Sequence, residues 1–194
     1  MATQPKTHLT PEQYLEIERK AESKSEYYNG EMFAMSGARE SHNLIVTNLA
    51  IELGLQLRKR PCKAYFVDMR VHIPATGLYT YPDASALCGE PLFLDETRDT
   101  LINPSLIVEV LFPSTEAFDR GGKFKQYRSI EPLSEYVLAA SDEVSVELYT
   151  RQGDGKWLLT TATKREDVIE LQSIGARVTL ADLYDKVEFA EPRR

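Results

Sequence analysis

The segment that most constrains this chain is Leu106-Ile107-Val108-Glu109-Val110-Leu111, because it sets one carboxylate among five aliphatic residues. With Ser105 at its head it is the most strongly apolar strand the sequence predicts. An unpaired carboxylate buried in such a strand costs several kcal/mol. Any fold built on it must bring Glu109 a cation, a hydrogen-bond network or a solvent-filled cleft.

A second acid stands in a comparable place. Asp83 follows Tyr81-Pro82 at the start of a short apolar stretch, Tyr81–Leu87. Twenty-six positions separate the two acids, and Gly89-Glu90-Pro91 and Asn103-Pro104 lie between them. That is room for a strand, a loop and a return strand. Two carboxylates on neighbouring strands form a hard-oxygen pocket suited to Mg²⁺, which takes one or two carboxylates together with waters and substrate phosphate.

The remaining chain supplies the frame. Thr10-Pro11-Glu12-Gln13 opens a first helix, with Thr10 as cap, Gln13 completing a capping box, and Leu9 and Tyr14 placed as a staple; it runs to about Glu22. Glu26–Phe33 reads as a hairpin, since Asn29-Gly30 suits a two-residue type I′ turn. Ser41 is expected to cap a second helix to about Arg58, with Ile45, Val46, Leu49 and Leu53 on one face. Ala64–Ile73 reads as one alternating strand, a third helix is expected roughly from Thr115 to Ile130, and Glu135–Ala140, Val144–Tyr149 and Trp157–Thr161 read as strands. This order predicts an α/β or α+β fold, a mixed central sheet flanked by helices, with an N-terminal helix and hairpin. Residues 1–194 are read as a single domain with a core from about 9 to 184 and loose ends, including the Glu188–Arg194 tail.

Composition narrows the classes. Hydrophobic residues are 42% and charged residues 27% of the chain, the balance of a globular protein. Thr3-Gln4-Pro5-Lys6 leads into polar residues without a signal-peptide apolar region, and no apolar run approaches a membrane span. A cytoplasmic location is expected, with Cys62 and Cys88 as free buried thiols. The net charge of −7 offers no global basic face for nucleic acid. Binding DNA then requires the carboxylates to gather in a cleft where cations offset them.

Taken in order, several segments resemble a known family. Pro82-Asp83 followed by Glu109-Val110-Leu111 is similar to the PD-(D/E)XK motif of restriction-endonuclease-like proteins. Adding Tyr28-Asn29-Gly30-Glu31, Ser41-His42-Asn43, Ile107 through Thr115, Asp119-Arg120-Gly121-Gly122-Lys123-Phe124-Lys125-Gln126-Tyr127 and Glu135-Tyr136-Val137-Leu138, the chain resembles the Uma-two group of bacterial endonucleases. In the plain superfamily motif a lysine stands two residues after the glutamate, where this chain has Leu111. The resemblance instead maps that lysine onto Lys123, on the following helix.

What the resemblance implies is metal-assisted phosphodiester hydrolysis on DNA. Asp83, Glu109 and Lys123 would be catalytic, and Asp83, Glu109 and the backbone carbonyl of Val110 would hold Mg²⁺ or Mn²⁺. Lys123 would orient a water and oppose developing charge. Glu31, His42 and Tyr127 stand as auxiliary candidates, with Tyr127 also expected to pack against the sheet. A homodimer is expected, because closed two-fold pairs are the commonest assembly and paired nucleases cut both strands.

Plainer roles exist for the same residues. Asp83 could cap a turn after Pro82, and Glu109 could form a buried salt bridge with Lys123. Lys123 could instead make a surface pair with Asp119 worth about 0.3–0.5 kcal/mol, and His42 could be a neutral structural histidine. At the level of function, a catalytically inactive nuclease-fold module competes with the enzyme, favoured by Leu111 and the acidic charge. An acid/base hydrolase is weaker, since the only tryptophan, Trp157, gives no sugar platform.

Overall fold

The structure is a computed structural model that describes residues 8–112 and 115–189; the Pro113-Ser114 pair, the first seven residues and residues 190–194 lie outside the described residues. A helix α1 (Pro11–Glu18) is followed by a hairpin of β1 (Ser25–Tyr28) and β2 (Glu31–Ala34), then the long helix α2 (Glu40–Leu57). Next come β3 (Cys62–Phe66), β4 (Arg70–Ile73), β5 (Leu78–Thr80), β6 (Ala84–Cys88), β7 (Thr100–Leu101) and β8 (Leu106–Leu111). A π-helical segment (Phe118–Lys123) runs into α3 (Phe124–Tyr127). The chain continues through β9 (Glu135–Ala140), β10 (Val146–Arg151), β11 (Trp157–Ala162), β12 (Val168–Leu171), β13 (Ala176–Thr179) and α4 (Leu180–Leu183).

The local signals at the N-terminus act as expected. Thr10 Oγ1 accepts from the Gln13 N–H, Gln13 Oε1 accepts from the Thr10 N–H, and Pro11 takes the first helical turn. Leu9 packs on the cluster that holds Tyr14, Tyr27 and Tyr79, so the staple closes. Asn29 and Gly30 both have positive φ, 50° and 85°, as a type I′ turn demands. The helix stops at Glu18 rather than Glu22.

Strands form a six-stranded sheet ordered β11-β10-β9-β8-β6-β3 and a five-stranded sheet ordered β2-β1-β5-β4-β7. β8 pairs in parallel with β9 and antiparallel with β6, so the sheet is mixed. The expected strand Ala64–Ile73 is in fact two. Val67 sits at φ 45°, which ends β3 and sends β4 into the other sheet. Tyr81–Leu87 likewise breaks: Pro82 cannot donate to a ladder, and Tyr81-Pro82-Asp83 carries the chain from β5 in one sheet to β6 in the other.

Two cores flank the six-stranded sheet. On one side α2 lays Ile45, Val46, Leu49, Leu53 and Leu57 against Leu106, Val108 and Val110, together with β12, β13 and α4. On the other side Ile107 and Leu111 meet Tyr127, Tyr136 and Leu138 and the five-stranded sheet's Val71, Ile73 and Leu78. Strand alternation therefore turns Glu109 to the second side, toward α3. α2 begins after Arg39, which makes no side-chain cap, so Ser41 lies inside the first turn rather than capping it. β12, β13 and α4 had not been assigned from the sequence; their short alternating runs bury Ile169, Leu171, Ala176 and Val178.

The cysteines differ from expectation. Cys62 and Cys88 are directly opposed in the β3–β6 ladder and form a disulfide. Cys88 is exposed, and neither is a free buried thiol. The reduced thiols had been part of the argument for a cytoplasmic location, and that part falls away. Among the described residues no helix is long and apolar enough to cross a membrane.

Candidate active site

Register brings the two acids together. The β6–β8 ladder ends with Ala84 opposite Val108, so Asp83 and Glu109 each stand one residue beyond its last pair, close enough for the charge of Asp83 to act on Glu109. The link is made explicit by the Val110 N–H, which donates to Asp83 Oδ2 at 2.7 Å. Asp83 Oδ1 lies 3.0 Å from His42 Nε2 at the N-terminal end of α2. The His42 ring stacks on Phe112 at 4.8 Å with 10° between planes, and its Nδ1 is buried without a partner. The Nε2–H tautomer is the one that serves Asp83.

Glu109 is 5% exposed. Its Oε1 accepts from Lys123 Nζ at 3.1 Å and from the Tyr127 hydroxyl at 2.7 Å. Both bonds fall on one oxygen, which leaves Oε2 for a further ligand. Burial pushes the Glu109 carboxyl up to about 8, with Asp83 and Asp119 adding to the rise and Lys123 opposing it.

Lys123 is the hub. Its ammonium is 3.1 Å from Glu109, 3.2 Å from Glu26 and 3.6 Å from Asp119. Burial works against its charge, yet Glu109, Glu26 and Asp119 outweigh that and hold its pKa well above the ordinary lysine range. The expected surface pair between Asp119 and Lys123 is therefore a buried one, 5% and 9% exposed. The buried Glu109–Lys123 salt bridge weighed from the sequence is present. It joins the two residues within one cluster and does not by itself choose between a structural and a catalytic role.

The helix that delivers Lys123 is not the regular α-helix expected over Thr115–Ile130. Residues Phe118–Lys123 are π-helical, a form that recurs at functional sites. This widened turn carries Asp119 and Lys123 to the same buried side. A Cβ at Gly122 would meet the exposed Phe118 ring at 2.5 Å, so a larger residue there would require that ring to move.

Glu26 was not singled out from the sequence. It lies in β1, and besides Lys123 it accepts from the Thr80 hydroxyl. Only the hairpin's docking beside β5 brings it in, so the Asn-Gly turn ahead of Glu31 was the one local hint. Glu31 lies in β2 opposite Tyr28, on the sheet face it shares with Glu26. Tyr127 is fully buried as expected, and its hydroxyl also reaches Glu109.

The donor set meets the demands of a hard divalent cation in one respect and limits it in another. Asp83 and Glu109 are near enough to act on each other's charge, and both hydrogen bonds to Glu109 fall on Oε1. Among the described residues no group of three or more His, Cys, Asp or Glu side chains stands ready to hold a metal. Two carboxylates are what Mg²⁺ commonly takes from protein.

The whole arrangement has relatives. Residues 11–181 match the Uma2 family, described as "Putative restriction endonuclease". The chain belongs to the Uma2 family. Two uncharacterized proteins of Synechocystis sp. are similar to it. One is 36% identical over 185 residues, covering 95% of this chain and 96% of the relative. The other is 40% identical over 152 residues, covering 78% and 86%. A crystal structure of a "putative nuclease" from Anabaena variabilis superposes with a TM-score of 0.75 at 17% identity, over 91% of this chain and 97% of that one. The Uma2 chain thus has a restriction-endonuclease-like α+β fold.

Proposed function

We propose that this Uma2 chain is a divalent-metal-dependent nuclease that hydrolyses phosphodiester bonds of DNA, with Asp83, Glu109 and Lys123 as its catalytic residues. One observation carries the reading: Lys123, reaching in from a helix, puts its ammonium 3.1 Å from Glu109, and the next residue, Val110, is tied by its N–H to Asp83.

Asp83 and Glu109, with the Val110 carbonyl, would hold Mg²⁺ or Mn²⁺. When bound, that ion supplies Lewis acidity and a hydroxide-like water near neutral pH. The protein's own groups do the rest. His42 and the Val110 N–H fix both oxygens of Asp83. Tyr127 holds Glu109 by Oε1, which would leave Oε2 for the ion. Lys123, kept charged by its carboxylates, faces the position where negative charge develops on phosphate. Domain organisation as one unit of residues 1–194, a homodimer and a cytoplasmic setting accompany this reading as expectations of the same proposal.

The test pairs metal binding with turnover. Calorimetric titration with Mn²⁺ is expected to show a site that Asp83→Ala abolishes. Incubation with single-stranded, duplex and branched DNA in Mg²⁺ should then give cleavage by the natural chain alone. Cleavage retained in Asp83→Ala or Glu109→Ala refutes the assignment. Metal binding without cleavage of any DNA form marks a catalytically inactive module instead.

A further inference from the structure

A cleft of about 440 Å³ lies away from the carboxylates, lined by Lys125, Arg128, Ser129, Arg151, Gly155 and Trp157. Its chemistry is opposite to that of the chain as a whole, which carries a net charge of −7. Lys125 and Arg128 are exposed, and among the described residues neither makes an ion pair. Arg151 is fixed by carbonyls rather than by acids: its guanidinium donates to Glu131 O at 2.7 Å, to Ile130 O at 3.1 Å and to Arg128 O. Such bonds orient the guanidinium without an ion pair among the described residues, while the Glu131 carboxylate acts on its charge.

The cleft also holds the only tryptophan of the chain. Arg151 lies over the Trp157 indole at 4.9 Å, and Phe124 braces it edge-on at 5.2 Å and 83°. Trp157 is nonetheless only partly buried, and a neighbouring cleft, bordered by the Lys156–Asp154 ion pair, shares the same indole. Three cations without ion pairs among the described residues, around a held, accessible aromatic ring, fit a chain of phosphates bearing flat bases. Phosphates meet the cations, and an unstacked base lies on the indole.

We propose that this cleft is a subsite for single-stranded nucleic acid, with Lys125 and Arg128 contacting phosphates and Trp157 stacking a base. The proposal deepens the nuclease reading and rests on it for its biological sense. α3 joins the two places, since Lys123 and Tyr127 are buried toward Glu109 while Lys125 and Arg128 face solvent. Arg151 lies one residue beyond the Thr150–Glu135 pair, where β9 begins, and Glu109, opposite Leu138, lies about 13 Å further along the strands by strand rise. A single strand held in the cleft would gain an anchor that the acidic catalytic region cannot give. An unstacked base is required, which is why the occupant is a single strand rather than a duplex.

Because Trp157 is the sole indole, its fluorescence reports on the cleft without a label. The natural chain is titrated in EDTA and low salt with a thymidine oligonucleotide of about a dozen residues, so that binding is read without cleavage. Saturable quenching is expected, weakened about tenfold by Lys125→Glu and by Arg128→Glu. Each variant should also lower the salt slope by about 0.7. Asp83→Asn should leave the titration unchanged. Inorganic polyphosphate and polyglutamate should bind more weakly and leave the indole unquenched. Quenching that is absent, that ignores both cleft variants, or that polyphosphate or polyglutamate reproduces overturns the proposal. Cleft binding in a chain that cleaves no DNA with metal present would sink the nuclease reading alone. Cleavage without any indole response would sink the cleft alone.

Discussion

The backbone N–H of Val110 donates to Asp83 Oδ2 at 2.7 Å across 27 positions of sequence. This bond fastens the first acid to the residue beside the second. It makes the separation of the carboxylates a property of the β6–β8 ladder rather than of two free side chains. Metal affinity and strand register are thereby tied together.

Asp83→Asn keeps an acceptor for the Val110 N–H and the shape of the side chain. The variant is expected to hold its melting temperature within a few degrees while losing at least tenfold in Mn²⁺ affinity. Calorimetry beside a thermal melt checks both. A melt that collapses together with metal binding would show that Asp83 acts mainly on the fold.

Lys123→Met removes a cation from among Glu109, Glu26 and Asp119. Stranding buried carboxylates in this way costs about 3–5 kcal/mol. Adding Glu109→Gln to that variant should recover part of the loss, so the two changes are non-additive. Urea denaturation of the four-member cycle measures this. Simple additivity within about 0.5 kcal/mol would mean that the pair is not coupled.

The raised Glu109 carboxyl gives metal binding a pH dependence with a definite sign. Below about 8 the group holds a proton that a cation must displace. Apparent Mn²⁺ affinity should therefore climb with pH up to about 8 and level off above it, with a proton released on binding. Titrations at several pH values in buffers of different ionisation enthalpy test this, and affinity independent of pH contradicts it.

Acid stability should register Asp99. Although burial opposes its ionisation, hydrogen bonds from Arg19 and Thr100 and the charge of Arg70 hold its carboxyl down at about 2, against 3.8 ordinarily. A pKa lowered on folding contributes stability above about 4, and that contribution is lost as pH falls through about 2. Asp99→Asn should cost about 1 kcal/mol at neutral pH after allowance for solvent screening, and nothing well below pH 2. Denaturation curves for both chains across that range decide it, and a constant difference at all pH values would exclude this linkage.

The local devices were legible in the sequence because each is decided within a few residues. Thr10 and Gln13 cap α1 through their own backbone neighbours, and Asn29-Gly30 sets its turn by its own φ angles. Glu109 announced itself through the cost of an acid among aliphatic residues, Asp83 through its place at the head of an apolar strand, and Lys123 through its resemblance to one family. The breaks in the strands were harder to see. Alternation ran on through Val67, and only the departure of β4 to another sheet explains that residue's left-handed backbone.

Other features exist only in three dimensions. Glu26 reaches Lys123 because the hairpin docks beside β5, a contact between positions nearly a hundred residues apart that no local pattern records. The disulfide follows from β3 and β6 pairing in the register that opposes Cys62 and Cys88, which two isolated cysteines could not disclose. The amino-acid order by itself determined which groups are too costly to bury alone. The tertiary structure decided which partners meet them, because burial is priced locally while pairing depends on long-range register.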